Sequence, residues 1–142
     1  MKKIIFVCTG NTCRSPMAMA VFNTAAKEKG LNWVADSAGL AAGYDPINPK
    51  SVEALAKIGI NFNDYTSKRL SFNMVDEAGL IAVMTNSHLA ALVGVGVDRN
   101  KIIVLGNGIP DPFGGDINTY NDCLLKIKTA IDNLIKGGVF ND

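Results

Sequence analysis

Five residues separate Cys8 from Arg14 in the segment Cys8-Thr9-Gly10-Asn11-Thr12-Cys13-Arg14-Ser15-Pro16. That spacing suits phosphate chemistry. A loop of this length can curl so that its backbone N–H groups point inward and form an anion nest. A helix starting at Ser15-Pro16 would aim its positive dipole end at the same place. Arg14 adds a planar fork able to hold two oxygens at once. Gly10 permits unusual backbone angles, and Asn11 tolerates left-handed geometry while tying the loop down through its side chain. The expected substrate-binding set is therefore Thr9, Gly10, Asn11, Thr12, Cys13, Arg14 and Ser15. Cys8 would sit in this positive field, which predicts a lowered thiol pKa and a nucleophilic thiolate. Ser15 would add to that if its hydroxyl faced the sulfur. A cysteine ending a buried strand is often plain core, and a bare Cys-x5-Arg spacing can arise by chance. The inference rests on the combination of strand, Gly-Asn turn, arginine and Ser-Pro helix start.

A leaving group needs a proton. Asp111, within Ile109-Pro110-Asp111-Pro112-Phe113-Gly114-Gly115, is the candidate acid. Its flanking prolines stiffen the loop. An apolar setting beside Phe113 would favour the protonated carboxyl. An Asp-Pro pair also makes ordinary turns, so its catalytic reading depends on the cysteine–arginine segment.

Strand-like and helix-like segments alternate along the chain. Lys3–Cys8 reads as a strand buried on both faces. A helix follows from Ser15, with Ala18, Val21, Phe22 and Ala25 as its apolar stripe and Gly30 as its stop. Asn32–Ser37, Leu80–Met84 and Lys101–Leu105 read as further strands. Asn48-Pro49, Ser71 and Thr85 or Asn86 open helices between them. Gly106–Gly115 is a loop, and Asp116 caps a final helix whose Ile117, Tyr120, Leu124, Ile127, Ile131 and Leu134 recur at helical spacing. The alternation predicts an α/β three-layer sandwich: a four-stranded parallel sheet flanked by helices on both faces. Ligands in such folds sit beyond the carboxyl ends of the strands. Both chemically distinctive loops follow strands. The 142 residues suit one domain, 1–142.

Composition removes other classes. The net charge is +1, with no basic run beyond Lys2-Lys3 and Lys68-Arg69, so no nucleic-acid partner is expected. No stretch approaches the roughly 20 apolar residues of a membrane span. Three cysteines and a single histidine imply a reducing, cytoplasmic setting and no structural metal. Cys123, in the last helix, reads as packing.

These residues resemble the low-molecular-weight protein-tyrosine phosphatase family. The likeness runs from the Cys8–Pro16 segment through Asp36-Ser37-Ala38-Gly39 and Thr66-Ser67-Lys68-Arg69-Leu70 to Asp111-Pro112. It implies a phosphocysteine on Cys8, Asp111 as acid and then base, and no cofactor or metal. Phosphorylated proteins would be the substrates and inorganic phosphate the product. It implies that Asn11, Ser15 and Ser37 support the loop, that a histidine, here His88, joins that network, and that Cys8 and Cys13 form a redox pair. Thr12 and Asp111-Pro112-Phe113-Gly114-Gly115 resemble the protein-arginine-phosphatase branch. A Thr hydroxyl and a carboxylate can accept from a guanidinium, and Phe113 would line the pocket. The alternatives are a tyrosine phosphatase of the same family and a non-catalytic phosphate-binding regulatory module. An arsenate reductase of this fold would need two further cysteines after the third strand, and Ile81–Val97 holds none.

Overall fold

The structure, a computed structural model, describes residues 1–141. Its strands are β1 (Lys2–Cys8), β2 (Trp33–Gly39), β3 (Leu80–Val83) and β4 (Ile102–Val104). Its helices are α1 (Arg14–Lys29), α2 (Pro49–Lys57), α3 (Phe72–Glu77), α4 (Asn86–Gly94) and α5 (Ile117–Lys136). The strands pair in parallel in the order β2-β1-β3-β4, as the alternation of the sequence requires. β4 is shorter than expected because Lys101 and Leu105 belong to single 3-10 turns at its two ends.

β1 occupies the centre, and its side chains supply both cores. Ile4, Phe6 and Cys8 pack with α1, α2 and α5, whereas Ile5 and Val7 pack with Val75 of α3 and Leu92 of α4. This is the period-2 alternation of a strand with two covered faces. The chain moves from β1 outward to β2, then returns to place β3 on the other side of β1. The topological switch therefore lies between β1 and β3, where the loop after Cys8 emerges.

The helix starts follow the chemistry of their caps. Asn48, Ser71, Thr85 and Asp116 each accept a backbone N–H of the following first turn. Helix α1 departs from expectation. Every residue from Arg14 to Phe22 is buried, rather than one stripe, because α1 is enclosed by the sheet and α5.

The end of β2 presses on the loop after β1. Gly39 pairs with Cys8, the Leu40 amide donates to the Cys8 carbonyl, and the Ala41 amide donates to the Thr9 carbonyl. A Cβ at residue 39 would lie 2.5 Å from the Thr9 carbonyl oxygen and 3.0 Å from Asn11 Cβ. Glycine is required by this approach of two backbones. Gly39→Ala should therefore destabilise the protein by on the order of 1–3 kcal/mol, the usual cost of overpacking. Urea denaturation would register this as a lower midpoint at unchanged slope, and an unaltered midpoint would contradict the tight packing.

Candidate active site

The loop 9–13 joins the central strand to the N-terminus of α1, and Asn11 turns it with φ of 58°. The buried Cys8 Sγ lies 2.8 Å from Ser15 Oγ and 3.2 Å from the Asn11 amide nitrogen. The Ser15 hydroxyl has a second partner. Asn11 Nδ2 donates to Ser15 Oγ at 2.7 Å and to Ser37 Oγ at 3.1 Å. Asn11 Oδ1 accepts from the Lys68 amide at 2.9 Å and from Tyr65 Oη at 2.6 Å, which sets the orientation of the amide group. Ser15 Oγ accepts from Asn11 Nδ2, which leaves its own proton free to be donated to the sulfur when Cys8 is the thiolate. The Ser15 hydroxyl does not cap α1, although the Ser-Pro pair reads as a helix start. The N-cap is Cys13, which makes no side-chain cap bond. Ser15 is fully buried and is not among the residues that line the pocket.

The sulfur's protonation balance differs from the sequence-based expectation. Burial is the largest influence and pushes the Cys8 thiol up, against the Ser15 hydroxyl, the amides of Ser15 and Asn11, and the charge of Arg14. The expected lowering considers only the positive field. Removing the sulfur from water outweighs that field here.

Arg14 is buried and bridges two loops. Its Nη1 donates to the Ile109 carbonyl at 2.9 Å, and its Nη2 lies 3.7 Å from Asp111 Oδ2, an ionic contact longer than a hydrogen bond. The Asp111 carboxylate also accepts from the Phe113 amide at 3.1 Å. Asp111 does not have the apolar setting expected from its neighbour. Its side chain is 55% exposed, and Phe113 is 72% exposed, because the loop turns both toward solvent.

Cys8, Thr9, Gly10, Asn11, Thr12, Cys13 and Arg14 line one pocket of about 310 Å³ with Asp111 and Phe113, residues about a hundred positions away in the chain. Ala41, Gly43 and Asp45, from the loop after β2, complete the wall and have no distinctive sequence signal. Tyr65 is the largest residue missed. It stands just before the Thr66–Leu70 segment and holds Asn11, with its hydroxyl also 2.6 Å from Ser37 Oγ. Burial keeps the Tyr65 phenol protonated beyond its usual range, so it remains a donor. Ser37 is fully buried in this network. Cys8, Cys13 and Cys123 are free thiols. Cys13 Sγ lies 3.3 Å from Tyr120 Oη. The Cys123 thiol packs beneath Pro110 and is pushed up to about 12, mainly by burial. Among the described residues no group of three acidic, cysteine or histidine side chains could hold a metal ion, and no helix is long and apolar enough to cross a membrane.

A parallel sheet that delivers a cysteine, an arginine and a carboxylate to one phosphate-sized loop defines a cysteine-based phosphatase, a hydrolase. The chain belongs to the low molecular weight phosphotyrosine protein phosphatase family, whose sequence pattern matches residues 3–138. It is 37% identical to the protein-arginine-phosphatase of Bacillus subtilis over 94% of both chains. It is 30% identical to arsenate reductase 2 of Staphylococcus haemolyticus, over 93% of this chain and 95% of that one. A solved structure of the YwlE arginine phosphatase, a Cys→Ser variant with a phosphorylated active-site serine, superposes with a TM-score of 0.92. The two are 34% identical, over 98% of this chain and 97% of that one.

His88 lies outside the Asn11 network that the resemblance assigns to a histidine, and Tyr65 stands there instead. The buried His88 ring links α4 to the catalytic loop, with Nε2 2.8 Å from Thr9 Oγ1 and Nδ1 3.0 Å from Thr85 Oγ1. Burial and then Arg14 push its pKa down, and Asp111 partly opposes them. The folded state thus binds a proton less readily than the unfolded chain. The His88 contribution is complete above the ordinary histidine value near 6.5 and is lost as pH falls through the lower folded value. The melting temperature should fall on acidification below about pH 6.5, and His88→Gln should flatten that part of the curve. Thermal melts of both proteins across pH 5–8 would check this.

Proposed function

We propose that this protein dephosphorylates phosphoproteins through a phosphocysteine on Cys8, with protein phosphoarginine as its preferred substrate. The observation that carries this reading is the convergence of Cys8, Arg14 and Asp111 on one pocket whose wall includes Thr12. The Cys8 thiolate attacks phosphorus, forming an S–P bond as the P–N bond to the arginine side chain breaks. Asp111 gives its proton to the departing nitrogen. Asp111 then takes a proton from water, whose oxygen attacks phosphorus, releases inorganic phosphate and restores the thiolate. Arg14 and the loop amides bear the charge of the transferring group. The phosphorylated active-site serine of the YwlE variant supports covalent transfer at this position. Under this reading residues 1–142 form a single domain, and the steps need no metal or cofactor.

Thr12 supports arginine. It is half-buried on the pocket wall, and its hydroxyl has only a 3.7 Å contact to Cys13 Sγ, so it is free to accept from a guanidinium. Asp111 can do the same before and after proton transfer. Phosphotyrosine is the second reading, favoured by the exposed Phe113 ring beside which a phenol could lie. The 30% identity to an arsenate reductase does not carry that activity over, since Ile81–Val97 contains no cysteine to shuttle a disulfide.

Two outcomes test the proposal. Cys8→Ser should abolish turnover of p-nitrophenyl phosphate while inorganic phosphate still binds by calorimetry; retained turnover would remove Cys8 from the mechanism. Assayed side by side, phosphoarginine should be preferred over a phosphotyrosine peptide. Thr12→Ile should then shift the ratio of kcat/KM toward phosphotyrosine by roughly ten-fold, the effect of one lost hydrogen bond and an added aliphatic wall.

A further inference from the structure

Asp45 stands on the same pocket wall as Thr12 and Asp111, yet nothing in the mechanism above uses it. Its backbone is clamped on both sides by Ser67, a buried residue. The Ser67 amide donates to the Asp45 carbonyl at 2.7 Å, and the Asp45 amide is bonded to Ser67 Oγ at 2.8 Å. The preceding residue, Tyr44, takes a φ of 61°, a conformation that bulky side chains resist. A clamped backbone after a disfavoured turn fixes where the carboxylate begins. The carboxylate lies over Gly43, where a Cβ would come within 3.2 Å of Asp45 Oδ2, and Gly43 itself lines the pocket. Among the described residues no cation pairs with Asp45 and no side-chain hydrogen bond uses its carboxylate.

The pocket is consequently polarised. The thiol, the loop amides, the α1 N-terminus and Arg14 make a floor suited to a phosphoryl dianion. The Asp45 carboxylate places negative charge on its wall. A phosphorylated guanidinium has the matching distribution, an anionic phosphoryl group joined to a cationic, donor-rich group. A phosphorylated phenol has an anionic end and a neutral ring. A carboxylate facing the ring would offer it no hydrogen bond and would repel charge developing on the departing oxygen.

We propose that Asp45 is a specificity-determining residue, whose carboxylate accepts N–H donors of the substrate guanidinium and selects phosphoarginine over aryl phosphates. This rests on the phosphoarginine reading. It adds to that reading a second carboxylate, from the loop after β2, lining the same pocket as the acid.

The test compares kcat/KM for phosphoarginine with kcat/KM for p-nitrophenyl phosphate in the wild type, Asp45→Asn and Gly43→Ala. Asp45→Asn keeps both backbone bonds to Ser67 and removes the charge. The ratio should fall roughly ten-fold, the effect of losing one charge-assisted hydrogen bond. Gly43→Ala should lower the ratio in the same direction by displacing the carboxylate. Turnover of the aryl phosphate reports that the loop remains folded in each variant. An unchanged ratio in Asp45→Asn, with the wild type active on phosphoarginine, would overturn the role of Asp45 and leave the phosphoarginine reading standing. A wild type inactive on phosphoarginine but active on the aryl phosphate would overturn both.

Discussion

The hydrogen bond between Ser15 and the Cys8 sulfur is the interaction around which this site is arranged. A hydroxyl can point its single proton in several directions, and here a chain of donors engages the Ser15 oxygen and leaves its proton free for the sulfur. Tyr65 and the Lys68 amide occupy the Asn11 oxygen, which turns the Asn11 NH2 toward Ser15 and Ser37. Each group in that chain is buried or half-buried, where a misdirected polar atom would go unpaired at substantial cost. Among the described residues no buried side-chain nitrogen or oxygen lacks a partner. The network is therefore rigid for the same reason that it is complete. It also counteracts the burial that raises the Cys8 thiol, so the sulfur is both shielded from water and provided with a donor for its anion.

The fold delivers this network through backbone contacts rather than through side-chain reach. β1 carries the sulfur, β2 brings Ser37 and Gly39 alongside it, and the stretch at Thr66–Leu70 closes over the end of β2. The Gly39 amide bonds to the Lys68 carbonyl and the Leu70 amide to the Gly39 carbonyl, so the stretch extends the pairing of the sheet. That pairing places the Lys68 amide on Asn11. A packing change at the edge of the sheet would thus be felt at the sulfur without touching it.

Much of this arrangement was legible in the chain. The β1 run, the Cys8–Arg14 spacing and the Asn-Pro and Ser-Pro helix starts are local signals, and they located the parallel sheet and the loop. Other features depend on distant residues meeting. Tyr65 gives no sign of its role because its partners lie 28 and 54 positions away. Asp45 looks like a turn residue until the loop after β2 is seen beside the pocket. A Ser-Pro pair normally marks a helix cap, yet the Ser15 hydroxyl lies against the sulfur instead. The protonation balance at Cys8 and the setting of Asp111 could not be deduced from neighbours in sequence, since both depend on burial in three dimensions. His88 is polar and lies on a helix, which suggests a surface position, yet its ring spans two threonine hydroxyls under the loop.

The bond from Arg14 to the Ile109 carbonyl has an evolutionary side. One guanidinium faces the phosphoryl position and braces the loop that carries Asp111. Lysine could supply the charge, but its single ammonium lacks the flat, forked shape needed to do both tasks at once. A substitution at this position would loosen the far loop in the same step that weakened anion capture. Two segments ninety-five positions apart are thereby bound to a common fate, and drift in either is constrained by the other.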